Sequence, residues 1–62
     1  MTVYVHYHGS IGDAHGLYRV ACHYPIGLSQ EVRYRLLPMA LGAKALSDVR
    51  RCSFTIIKGE LA

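Results

Sequence analysis

The sequence predicts an all-β fold: one small five-stranded barrel, a single domain spanning residues 1–62. Three observations lead there. The chain is 62 residues long, 52% hydrophobic and only 18% charged, too apolar for disorder and too short for two cores. Apolar and polar residues alternate with a period of two over most of its length, as in strands with one buried face. Glycine or proline stands at most breaks between these runs, where turns are needed. A flat sheet of this size would leave a wide apolar face and two open edges, and curling into a barrel removes both.

The elements follow in order. In TVYVHYH, Val3, Val5 and Tyr7 alternate with Tyr4, His6 and His8; the first set is predicted to face the core. Residues 9–16 hold three glycines, with Asp13 among them, and read as a loop. LYRVACHY is the second strand, with Tyr18, Val20, Cys22 and Tyr24 assigned to the buried face and Arg19, Ala21 and His23 to the other. The two runs make a hairpin, which Pro25 and Gly27 end. EVRYRLL then sets Val32, Tyr34 and Leu36 against Glu31, Arg33 and Arg35. A helix over this segment would pass through Pro38, at about 3 kcal/mol, and Gly42, at about 1 kcal/mol. A strand is predicted for 31–37.

Residues 39–50 admit two structures. Ala40, Ala43 and Ala45 favour a helix, with Pro38 at a first helical position and Lys44–Asp48 as an i,i+4 pair. That alternative is a β-sheet with one short helix at about 39–50. If Leu41-Gly42-Ala43-Lys44 instead closes a hairpin between Arg35 and Leu46, the five-stranded barrel results, and this is the preferred assignment. CSFTII supplies the last strand, with Phe54 and Ile56 on one face.

The chemistry is more limited. Seven Lys+Arg oppose four Asp+Glu, a net charge of +3 and a pI near 9.1, which suits an acidic partner. No run of 18 apolar residues occurs, so no membrane partner is expected. The first ten residues lack the basic and apolar regions of a secretory signal, and a cytoplasmic location is expected. Cys22 and Cys52 are then expected to be free thiols acting as small buried hydrophobes.

Enzymatic constellations are weak. His6 and His8 are the candidate metal pair, sharing one strand face with Cβ atoms about 7 Å apart. Neither Cys-x-x-Cys nor His-x-x-x-His spacing supports them, and they read as solvent-facing polar residues. Ser10 in HGSIG precedes no helix and is no nucleophile elbow. Cys22 and His23, adjacent on a strand, face opposite sides. Glycines 9, 12 and 16 form neither a Walker motif nor a dinucleotide fingerprint. No catalytic residue, metal or cofactor is expected, and a zinc-dependent hydrolase ranks third among the functions.

Binding fits better. Arg33 and Arg35 share an outward face, Arg50 and Arg51 end the next strand, and Tyr4 lies on another outward face. Tyrosine and arginine are enriched in protein interfaces. The alternative is nucleic-acid binding through the arginines, although Glu31 and Asp48 lie among them and would repel phosphate. A homodimer is a further expectation, because self-association adds buried area to a small core.

Two segments, HGSIGDAHGLYRV at 8–20 and ALSDVRRCSFTII at 45–57, resemble stretches of short accessory proteins of phages infecting actinobacteria. They also resemble SH3-like barrels, in which strand, Gly-rich loop and strand open the domain and a tight turn, here Arg51-Cys52-Ser53, precedes the last strand. The resemblance implies a phage-encoded accessory protein acting in the host cytoplasm on a host protein or on nucleic acid. The aromatic-rich groove that grips Pro-rich peptides is missing, and the chain has no tryptophan. The sequence thus points to a non-enzymatic module binding a host protein, with Tyr4, Arg33, Arg35, Arg50 and Arg51 as the contact residues.

Overall fold

Alternation in TVYVHYH becomes strand β1, Tyr4–Tyr7, and it places Val3, Val5 and Tyr7 in the core. The computed structural model describes residues 2–61. The chain then forms β2 (Gly16–Pro25), β3 (Val32–Pro38), β4 (Leu46–Arg50) and β5 (Phe54–Lys58), with short 3-10 turns at Gly12–Ala14 and Arg51–Ser53. All five strands pair antiparallel in one sheet of order β4-β3-β2-β1-β5. The first four form a meander, and β5 returns to lie beside β1. β4 and β5 are the sheet edges, so the sheet is not closed.

The hairpin over 39–46 is present, and the short helix considered for 39–50 is not. Leu36 pairs with Leu46, and Gly42 takes φ 81° in the connecting turn, a conformation that glycine adopts without strain. Pro38 ends β3 instead of starting a helix.

One side of the curved sheet holds the core: Val3, Val5, Tyr7, Tyr18, Leu36, Leu46, Val49 and Phe54. Tyr34 packs its ring edge-on against Phe54, with centroids 5.2 Å apart. Tyr7 meets Tyr18 in the same way at 6.1 Å. Such T-shaped pairs align the positive ring edge with the negative face of the partner.

Three bulges bend the sheet around this core. Between Val20 and Cys22 the partners on β3 advance by only one, from Leu36 to Arg35, which leaves Ala21 as an extra residue. On β4 an extra residue lies between Leu46 and Val49, where Asp48 takes φ 56°. On β5, Ile57 is extra, because Tyr4 faces Lys58 while Val5 faces Ile56. Each bulge sharpens the local right-handed twist and coils its strand.

The first bulge overturns part of the predicted pattern for β2. Tyr18 is buried and Val20 half-buried as expected, but Cys22 is exposed and lies opposite Arg35. Tyr24 lies opposite Arg33, again on the outer face. One inserted residue shifts a strand's phase by half its period, so everything after Ala21 changes sides. Cys52 is exposed too, in the turn before β5, so neither thiol is the buried hydrophobe expected; both are free. No helix of the described residues is long and apolar enough to cross a membrane.

Candidate partner-binding surface

The arginines fall into separate environments. Arg33 and Arg50 stand opposite each other across β3 and β4, an arrangement that costs energy unless the charges are offset. Arg33 is offset. Its Nη2 lies 3.3 Å from Glu31 Oε1, and its Nη1 donates to the Asp48 carbonyl at 3.4 Å. Its side chain is only 17% exposed, and its buried Nε–H has no partner among the described residues. Arg50 is exposed and makes no side-chain hydrogen bond or ion pair among the described residues.

Arg35 lies two positions along the same face and donates from Nη1 to Ser47 Oγ at 3.0 Å. Arg51 belongs to the fold. Its guanidinium sits 4.9 Å from the centroid of the Phe54 ring and donates to the Phe54 carbonyl at 3.1 Å.

Behind Arg33, Tyr24 reaches from β2 across β3 to β4. Its phenol donates to the Asp48 carboxylate and accepts the Asp48 backbone N–H at 2.9 Å. These bonds hold the β4 bulge with its left-handed φ. The hydrogen bond to the Asp48 carboxylate, with some desolvation and the nearby negative charge, raises the Tyr24 phenol above its ordinary pKa of 10.0. A short polar side chain such as aspartate tolerates that backbone conformation better than most residues.

The structure separates Tyr4 from these arginines and gives it two other cations. Tyr4 pairs with Arg19 on β2 and with Lys58 on β5, and Arg19 in turn faces Leu37 on β3. The row Leu37–Arg19–Tyr4–Lys58 therefore crosses the outer face. In the adjacent row Leu17 pairs with His6, and the Leu17 carbonyl accepts the Met39 N–H at 3.1 Å. Leu17 and Met39 are each 45% exposed. Neither Arg19 nor Lys58 is among the contact residues that the sequence predicts. Strand parity places Arg19 outward, but pairing between the first and last strands cannot be read from local pattern.

His6 and His8 do share the outer face. Their rings are nearly parallel, 6.4 Å apart between centroids, and His8 Nε2 is 3.0 Å from Thr55 Oγ1. No group of three or more His, Cys, Asp or Glu side chains positioned to hold a metal occurs among the described residues. His15 Nε2 donates to the Gly9 carbonyl at 2.8 Å and ties the 8–15 loop onto itself.

Two depressions flank the sheet. One lies where the β2 bulge meets residues 59–61 and includes Cys22, His23 and Glu60. The other, about 310 Å³, runs between the 8–15 loop and the end of β4. Compared with protein families, with curated proteins and with solved structures, the chain matches none.

Proposed function

We propose that the chain is a non-enzymatic binding module, an SH3-like barrel that engages a protein partner through the outer face centred on Tyr4. The strand order, the 3-10 turn before β5 and the three bulges support the barrel. The row Leu37–Arg19–Tyr4–Lys58 carries the function. A half-buried aromatic stands between two exposed cations, with Leu17 and Met39 exposed beside it. Apolar and aromatic surface rimmed by cations fits a protein that brings acidic groups to the edge of its contact. The resemblance of residues 8–20 and 45–57 to stretches of actinobacteriophage accessory proteins favours a host protein of the cytoplasm as that partner.

A protein is favoured over nucleic acid because two of the four expected phosphate contacts are already committed. Arg33 is held by Glu31 and the Asp48 carbonyl, and Arg51 by Phe54. The test is capture from nuclease-treated actinobacterial lysate on the immobilised protein, with Tyr4→Ala as comparison. A defined host protein retained by the native chain and lost with Tyr4→Ala supports the proposal. Micromolar binding of random-sequence DNA or RNA at physiological salt, abolished by Arg35→Ala/Arg50→Ala, would assign the arginine face to nucleic acid instead. Self-association through the same face would show in sedimentation as a dimer dissociated by Tyr4→Ala, with a second copy as the partner.

A further inference from the structure

Strand β1 carries two histidines that the proposed partner contact leaves unused. His6 and His8 are both exposed and stand two residues apart on the strand, so their side chains leave the same side of the sheet. Their rings are 21° from parallel, with centroids 6.4 Å apart. Thr55 on β5 stands opposite His6, and its hydroxyl lies 3.0 Å from His8 Nε2. Leu17, opposite His6 on β2, brings no ligating side chain. No third His, Cys, Asp or Glu joins the pair among the described residues.

We infer that His6 and His8 together bind one divalent transition-metal ion, each supplying one imidazole nitrogen while water fills the remaining positions. With each nitrogen about 2.1 Å from a shared ion, two ring centres stand roughly 4.5–6.5 Å apart, according to the angle between the two bonds. The observed pair sits at the wide end of that span, and side-chain rotation at two exposed positions closes the rest. An ion on Nδ1 of His8 selects the tautomer in which Nε2 donates to Thr55, the outer hydrogen bond that orients a ligating imidazole. The donor set decides the kind of ion. Two imidazoles without a carboxylate suit nickel, copper or zinc, whereas magnesium and calcium need oxygen ligands. Arg19 and Lys58, which flank Tyr4 two residues along β1, oppose any cation held by charge alone. Two protein ligands also leave the ion exchangeable, unlike the four-ligand sites that hold a fold together. The inference does not rest on the partner-binding role of the Tyr4 face.

The experiment titrates isotope-labelled protein, free of any affinity tag, with nickel(II), which is paramagnetic and leaves thiols unoxidised. Line broadening is expected first at His6, His8 and Thr55, with calorimetry giving one ion per chain. Loss of one member of a chelating pair should weaken binding about 100-fold, so His6→Ala and His8→Ala should each do so. Thr55→Val, which removes only the outer hydrogen bond, should weaken it about tenfold. Thermal melts of the variants should match that of the native chain, because all three positions are exposed, and this separates lost binding from lost folding. Excess magnesium should leave the nickel affinity unchanged. Nickel bound as tightly by His6→Ala or His8→Ala as by the native chain overturns the inference. Broadening centred on His15, or on Cys22 and His23, overturns it as well, as does displacement of nickel by magnesium.

Discussion

Replacing Leu36 by alanine tests the alignment of the whole sheet. Leu36 is fully buried in the middle of β3, paired with Val20 on one side and Leu46 on the other. The substitution removes three carbons, about 2.4 kcal/mol at ~0.8 kcal/mol per buried group. The cavity left behind raises the loss to about 3–4 kcal/mol, inside the usual range for buried leucines. A domain of this length holds only about 3–9 kcal/mol in all. At roughly 4–8 °C per kcal/mol, a loss of about 3 kcal/mol lowers the melting temperature by roughly 12–24 °C. Arg35→Ala, one position away, gives up an exposed hydrogen bond to Ser47 and should cost well under ~1 kcal/mol. Circular-dichroism melts of both variants, with the volume-conserving Leu36→Met as a third, provide the measurement. Leu36→Met should lose less than about 1.5 kcal/mol. Equal shifts for Leu36→Ala and Arg35→Ala would refute the placement of β3, because a one-residue slip exchanges the two faces.

Other outcomes follow from single contacts. Tyr24→Phe should remove a component titrating above pH 10.0 from the phenolate absorbance titration, since the bond to Asp48 raises the Tyr24 pKa above that value. By linkage this raised pKa stabilises the fold fully below the unfolded value near pH 10, and the contribution is lost as pH climbs through the higher folded value. The native protein should therefore show a steeper loss of stability in that alkaline window than Tyr24→Phe, as measured by denaturant midpoints against pH. Gly59→Ala should destabilise the chain by about 1–3 kcal/mol, because Gly59 has φ 95° and a Cβ there would stand 2.9 Å from the Thr2 carbonyl oxygen and 3.1 Å from Val3 Cα; an unchanged urea midpoint would contradict that packing. Arg51→Ala should cost about 1 kcal/mol through its lost contacts with Phe54, yet leave the captured host protein bound. Loss of binding at unchanged stability would return Arg51 to the contact surface.

How far the sequence could be followed differs from strand to strand. In β1 the alternation needs no correction, because four residues pair without interruption against β2, and the buried set Val3, Val5 and Tyr7 is the one its pattern implies. β5 likewise buries Phe54 and half-buries Ile56. β2 is legible only as far as Val20. Alanine at 21 is as ordinary in a regular strand as in a bulge, so no local signal announced the change of face that exposes Cys22 and turns Tyr24 toward Asp48. The predicted contact residues divided for a similar reason. Arg33 and Arg50 were brought together by a hairpin whose turn is local, whereas the cations beside Tyr4 came from pairings of β1 with β2 and with β5.

Composition, the two-residue period and the spacing of Gly and Pro pointed to an all-β chain with a loop at 9–16 and a break at Pro25–Gly27, because strand faces and turn conformations depend on neighbouring residues. They left 39–50 open between a hairpin and a helix, and the pairing of Leu36 with Leu46 made it a hairpin. Tertiary structure alone decided where the extra residues sit, which face Cys22 and Tyr24 take, and that Arg51 serves Phe54 while Arg19 and Lys58 flank Tyr4. Those outcomes depend on register between segments up to some fifty residues apart, such as Tyr4 with Lys58. Register is chosen by the packing of the whole core, and a bulge appears where one strand must curve farther than its partner to cover it.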